Sequence, residues 1–186
     1  MTDNPIDHFI DSATRVGAEV RKMTSLDEAA IYLREKVSGT VLVPETPLTE
    51  RYGLRTLLAG AGVDVFSGNF RDAGRAPAAG VTFSNFCLAD SGTVVLESTA
   101  EDIRLATTLP EMHCIIVDPT TILKDNLAAV EPMTAFHQGS AARFIAYITG
   151  PSRTADIERV LTIGCHGPRE LHILLVENIS SDLMEN

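Results

Sequence analysis

Apolar side chains recur at Ile6, Phe9, Ile10, Ala13, Val16 and Val20. Their spacing of three and four predicts one amphipathic helix over residues 5–23 with a single buried stripe. Ser25-Leu-Asp-Glu28 has the form of a capping box and predicts a second helix to about Val37, closed by Gly39. Residues 40–43 form a short β-branched run stopped by Pro44, and residues 48–59 read as a helix ended by Gly60-Ala-Gly62. Residues 63–66 predict another short strand, and residues 67–80 lack a clear apolar pattern.

Two apolar runs, 81–88 and 93–96, flank Ala89-Asp-Ser-Gly92 and predict strands joined tightly. Ser98-Thr-Ala-Glu101 is a second capping-box pattern, opening a helix that Pro110 terminates. Residues 113–117 read as a buried strand, 122–130 as a weaker helix and 142–148 as a strand. Residues 150–156 then form a loop entering a helix to about Leu161. A near-continuous apolar strand follows at 171–176, the pattern of a sheet covered on both faces. The tail from Asn178 is polar and is expected to fray.

Strands alternating with helices imply a largely parallel sheet with helices on both faces. The chain has 186 residues, enough for one domain with its own core. The expected division is a helical extension at 1–38, an α/β domain at 39–178 and a tail at 179–186. Hydrophobic residues make up 45% and charged residues 22%, ordinary for a globular protein.

The net charge of −10 disfavours a nucleic-acid partner and docking on an anionic membrane. A small anion is still admissible, because local amides and one arginine can hold it. The N-terminus lacks an apolar signal core and no window reaches the length of a membrane span, which predicts a cytoplasmic protein. Cys87, Cys114 and Cys165 include no CxxC pair, so no metal site or cofactor is expected from this chain alone. The flanks of Cys114 predict a buried strand in which the thiol behaves as a small hydrophobe.

Three loops carry candidate chemistry. In the first, Gly150 admits close backbone approach, Ser152 and Thr154 offer hydroxyls, and Arg153 can fork onto a carboxylate or phosphate. A following helix would add its free N–H groups, and a loop after a strand lies on the edge where open α/β sheets place ligands. The plainer reading makes Ser152 or Thr154 a helix cap and Asp156 a complement to the helix dipole. In the second, the amides and hydroxyls of Ser91, Gly92 and Thr93 suit an anion nest, or form a plain β-turn begun by Asp90.

The third is Gly164-Cys-His-Gly-Pro168, where His166 is a natural acid–base group or a turn residue. Because it precedes a strand, a parallel sheet would place it on the opposite edge from Arg153. One site holding both requires an irregular helix, an antiparallel strand or a second subunit. His166, Asp156 and Glu97 are the catalytic candidates, Glu97 being either a carboxylate nucleophile or a solvent-facing strand end. His113 and His172 read as satisfied core or edge histidines, and Arg104 as a partner of Glu101 or of an anion. No Walker loop, GxGxxG opening a helix, GxSxG elbow or HExxH is present.

The segments from Leu88 to Val95, Leu109 to Ile116 and Gly150 to Glu158, the Gly164-Cys-His-Gly-Pro168 loop, and Leu171 to Val176 occur in that order. Together they resemble the LUD-domain family, closely over about residues 80–177 and loosely before. The resemblance implies a three-layer Rossmann-like α/β/α fold with a mostly parallel sheet, similar to the NagB/RpiA/CoA-transferase group and here preceded by N-terminal helices. It implies a part in bacterial oxidation of L-lactate to pyruvate, with partner subunits carrying iron–sulfur and cysteine-rich motifs. This chain lacks those cysteines, so it reads as a non-redox component that binds partners and a small carboxylate. One departure from the pattern is Cys165, where a small aliphatic residue is expected. The competing readings are a stand-alone enzyme acting on a sugar phosphate or CoA ester, and a metabolite sensor.

Overall fold

The computed structural model describes residues 4–73, 77–138, 141–154, 162–164 and 166–185. In chain order the elements are α1 (Pro5–Arg15), β1 (Glu19–Met23), α2 (Leu26–Lys36), β2 (Val41–Leu42), α3 (Pro47–Arg51), α4 (Leu54–Gly60), β3 (Ala79–Phe83), β4 (Phe86–Leu88) and β5 (Thr93–Glu97). They continue with α5 (Glu101–Thr108), β6 (Met112–Val117), β7 (Ile122–Leu123), α6 (Val130–Phe136), β8 (Ile145–Ile148), β9 (Arg153–Thr154), β10 (Thr162–Ile163) and β11 (Glu170–Val176).

The expected parallel sheet is present, with five strands in the order β1-β11-β6-β3-β2 and every pairing parallel. Strand side chains alternate between its faces. Cys114, Ile116, Leu174 and Val176 meet Leu33 of α2 and Leu58 of α4 on one side. Ile115, Val117, Ile173 and Leu175 meet Phe9 and Ala13 of α1 on the other, together with Cys87 and Val94. Those last two belong to a second sheet, β7-β4-β5-β8, whose far side packs on Phe136 of α6. Residues 81–88 therefore do not form one strand. The chain breaks at Ser84-Asn85 and passes from one sheet to the other.

Several local expectations are corrected. The helix predicted over 5–23 stops at Arg15, where Val16 and Ala18 N–H return to Ser12 and Ala13 carbonyls, and residues 19–23 become the edge strand β1. The expected extension is thus not helical throughout, because pairing with β11 outweighs the helical spacing of Val20. Residues 48–59 are two helices broken at Tyr52-Gly53, and 63–66 contribute only an isolated bridge between Val65 and Val41. Ser98 does not cap α5. Its hydroxyl donates to Phe144 O at 3.0 Å and Ala100 is the N-cap. Residues 122–130 hold β7 rather than a helix, and the helix begins only at Val130.

The first capping pattern is half realised: Ser25 accepts from Glu28 N–H, while the Glu28 carboxylate accepts from Thr24 N–H at 2.6 Å. The polar tail is fastened rather than frayed. Asp118, just after β6, accepts from Ile179 and Ser180 N–H at 2.7 and 3.1 Å, and Asn85 donates to Leu183 O at 3.0 Å. Tyr52 donates to Ile179 O at 2.6 Å, and Arg51 pairs with Glu185.

Candidate functional site at the amino edge of the sheet

Residues 146–152 and 166–168 line one cleft that brings together two of the three candidate loops. Residues 153–154 are not a helix start but a strand, pairing antiparallel with residues 162–163. The helix expected over 155–161, with Asp156, lies outside the described residues, as does Cys165. The hairpin-like return brings the two distant motif loops together. Ser152 N–H donates to Pro168 O at 2.9 Å, and Gly164 N–H donates to Ser152 O at 2.9 Å. Of the arrangements that would unite Ser152 with His166, the antiparallel strand is the one present.

Between these loops lies a cleft of about 270 Å³. One wall is residues 146–152, and the other is His166, Gly167 and Pro168. Thr107 and Thr108 at the end of α5 and His113 and Leu171 at the starts of β6 and β11 form its floor. The cleft therefore sits at the amino ends of the parallel strands. The expectation that residues 150–154 occupy a carboxyl edge is corrected: they follow β8, a strand of the other, largely antiparallel sheet.

The second motif joins the site through hydroxyls. Ser91 Oγ lies 2.8 Å from Thr93 Oγ1, which lies 2.8 Å from Thr149 Oγ1 in the cleft wall. Thr93 is buried, so this chain of hydroxyls runs from the surface turn to the cleft. Gly92 has a different task. Its φ is 65°, and a Cβ there would lie 2.3 Å from Ala13 N. Gly150, with φ 74°, would place a Cβ 2.4 Å from Val16 O. Both glycines let α1 lie against the loops, a close-approach role that accounts for their conformation.

The remaining candidates fall elsewhere. Arg153 turns away from the cleft and donates to the Val16 carbonyl at the end of α1. Thr154 is held in the β9–β10 pair. Glu97 lies at the end of β5, where it accepts from Thr99 N–H at 3.1 Å. Arg104 donates to Ser98 O at 2.7 Å and packs on Phe144. His172 is outside the cleft, buried between Tyr32 OH at 2.7 Å and the Glu170 carboxylate at 3.0 Å.

His113 was read from sequence only as a satisfied core or edge residue. It is buried, with Nε2 2.9 Å from Thr82 Oγ1, and it also lines the cleft. Burial lowers its pKa from 6.5 to about 3, so the ring is neutral at neutral pH. Burial likewise pushes the Cys87 and Cys114 thiols up. Thr107, Thr108 and Thr149 were missed altogether. Nothing in their local pattern marks them, since they meet only through the crossing of β6, β8 and α5. Among the described residues lining the cleft there is no lysine or arginine. Arg169 lines an adjoining hollow that shares Thr108, His166 and Gly167 with the cleft. No group of three or more metal-ligating side chains occurs among the described residues, and no described helix is long and apolar enough to cross a membrane.

A mixed α/β protein with a parallel central sheet and a cleft at its amino edge is the class that these features define. A crystal structure of a DUF162 family protein from Deinococcus radiodurans has the same fold, with a TM-score of 0.66 over 92% of this chain and 96% of that one, at 17% identity. The LUD domain model matches residues 6–176, and the chain belongs to the LUD domain family. Lactate utilization protein C of Bacillus subtilis (strain 168) is 34% identical over 176 residues, covering 84% of this chain and 73% of that protein. The protein of the same name from Geobacillus kaustophilus (strain HTA426) is 34% identical over 169 residues, 82% of this chain and 70% of the relative.

Proposed function

We propose that this protein is a component of a bacterial L-lactate utilisation system that binds a small carboxylate in the amino-edge cleft. In this reading it does not carry electrons itself, and it works with iron–sulfur and cysteine-rich partner subunits. The names of its relatives and its family membership support the pathway. The observation that carries the ligand class is the lining of the cleft. Thr149 and Ser152 supply hydroxyls beside a neutral His113, Thr107 and Thr108 give their hydroxyl protons to Arg104 O and present acceptor lone pairs, and Ile148, Pro151 and Leu171 add apolar surface. Hydroxyl and imidazole groups match the hydroxyl or keto oxygen of a 2-hydroxy or 2-oxo acid. A sugar phosphate or CoA ester, with a dianionic or multiply charged group, would call for more fixed positive charge than the single arginine of the adjoining hollow, Arg169, supplies.

A thermal-shift series with L-lactate, pyruvate, a sugar phosphate, CoA and inorganic phosphate tests this reading. Ligand at 100 times its dissociation constant stabilises the fold by about 2.7 kcal/mol. Stabilisation by lactate or pyruvate, reduced in Ser152→Ala and Thr149→Val, is expected. Stabilisation by phosphate compounds alone would replace the carboxylate reading with the sugar-phosphate one. Copurification with an iron–sulfur subunit from the native host tests the partner assignment separately.

A further inference from the structure

The cleft does not end at His166. A second hollow of about 280 Å³ continues from it, bounded by Thr108, His166 and Gly167 on the shared side and by Glu111, Gly164 and Arg169 beyond. Arg169 is placed there by two features. Its side chain lies across Gly164, where a Cβ would come within 2.1 Å of Arg169 Cγ and 3.0 Å of Nε, so any larger residue would displace it. Its backbone N–H donates to Glu111 O at 2.7 Å, fixing the start of the side chain. Among the described residues its carboxylate neighbour is Glu111, 3.8 Å from Nε, a loose contact, and the Arg169 side chain is 64% exposed. A guanidinium so held keeps donors for a second, bidentate carboxylate.

We infer that Arg169 is the anion-recognising side chain of this cleft and that the site takes an elongated 2-hydroxy or 2-oxo monocarboxylate. The carboxylate sits at the Arg169–His166 end, and the uncharged tail runs along the cleft beside Ile148, Pro151 and Leu171. This rests on the carboxylate reading of the cleft given above. Two joined hollows exceed what a three-carbon acid fills, and they approach the sizes at which proteins bind larger metabolites. Glu111 opposes the ligand, because its charge competes for the same guanidinium. Removing either member of the pair therefore has opposite effects.

The experiment is calorimetric titration of the intact chain, its Arg169→Gln variant and its Glu111→Gln variant with L-lactate, 2-hydroxybutanoate and 2-hydroxyhexanoate. Arg169→Gln should weaken every acid by about tenfold or more, the scale of a lost charged hydrogen bond. Glu111→Gln should tighten binding severalfold, and affinity should rise roughly fourfold with each added methylene that is buried. Both substituted positions are exposed, and a general folding defect would not give two opposite signs. Binding that ignores both substitutions overturns the Arg169 assignment, binding that weakens as the tail lengthens overturns the elongated ligand, and either leaves the carboxylate cleft standing. Failure of every acid to bind the intact chain at tens of millimolar overturns both.

Discussion

The two edges of the parallel sheet are treated in opposite ways. At the carboxyl edge, where open α/β sheets usually hold their ligands, the chain itself fills the space. After β11 the tail crosses the ends of β6 and β3, with Ile179 and Ser180 held by Asp118 and Leu183 held by Asn85. At the amino edge the starts of β6 and β11 border a cleft, built there with the loop that follows a strand of the neighbouring sheet. Polar groups at the carboxyl edge hold the backbone of the tail, whereas Thr107, Thr149 and His113 at the amino edge, each also hydrogen-bonded within the chain, border open volume. Fold type alone would look for a cleft at the carboxyl edge, which is why function is argued from side chains.

The strongest way to break this contrast is to release the tail. The Asp118 carboxylate accepts from Ile179 N–H, Ser180 N–H, Thr120 N–H and Thr120 Oγ1, at 2.7, 3.1, 2.9 and 2.7 Å. Asp118→Ala leaves buried donors without acceptors and should cost about 3 kcal/mol in urea unfolding. Limited proteolysis should then cut within residues 177–185. Carboxylate affinity at the amino edge should be unchanged in the folded fraction, and a parallel loss of affinity would mean that the two edges are not separate.

A somewhat smaller effect is expected from Gly150→Ala, which acts on the open edge. The new Cβ meets Val16 O, in a backbone conformation that alanine disfavours. The cost should be about 2 kcal/mol, and α1 must draw back from the loop. Faster amide exchange at residues 12–16 together with weaker ligand binding would tie α1 to the cleft. Exchange that changed without any effect on binding would detach it.

Acid should affect the open edge in a defined direction. Folding lowers the His113 pKa from 6.5 to about 3, so the unfolded chain binds a proton that the folded chain refuses between those values. The stability this neutral ring allows is complete above about pH 6.5 and is lost as pH falls towards 3. The slope is up to roughly 1.4 kcal/mol per pH unit. Stability curves of His113→Gln should be flatter than wild type by about that slope between pH 6 and 4. Parallel curves would show that His113 is not the group responsible.

How much of this was legible in the sequence follows from the range of the interactions. The continuous apolar runs at 113–117 and 171–176 became β6 and β11, because strands buried on both faces need no partner pattern to be recognised. Val20 and Ile122 misled, since their strands exist only through pairing with β11 and β4, which no local periodicity reports. Of the candidate site, residue type marks the loops around Ser152 and His166, which line one cleft. Their union depends on the antiparallel return at 153–154 and 162–163, and the sequence offered that only as one of three arrangements. Arg153 was chosen as the cation because it sits in the motif. Arg169 was passed over although it directly follows His-Gly-Pro, because a side chain's direction depends on which glycine it crosses.

The mildest test concerns the hydroxyl chain that links the Ser91 turn to the cleft. Thr93 Oγ1 stands between Ser91 Oγ and Thr149 Oγ1, 2.8 Å from each, and Thr93 is buried. Thr93→Val keeps the shape and removes the hydroxyl, leaving Thr149 to satisfy itself from the cleft side. The expected loss is about 1 kcal/mol of stability. The freed Thr149 hydroxyl can turn to an acceptor in the cleft, so carboxylate affinity should hold or rise slightly. Thr149→Val, in contrast, removes the group that faces the ligand and should weaken binding for a similar loss of stability. If both variants weaken binding equally, the hydroxyl chain positions Thr149 as a unit and the turn at Ser91 belongs to the site. If only Thr149→Val does so, that turn serves to seat α1 against Gly92, and the amino-edge cleft is complete without it.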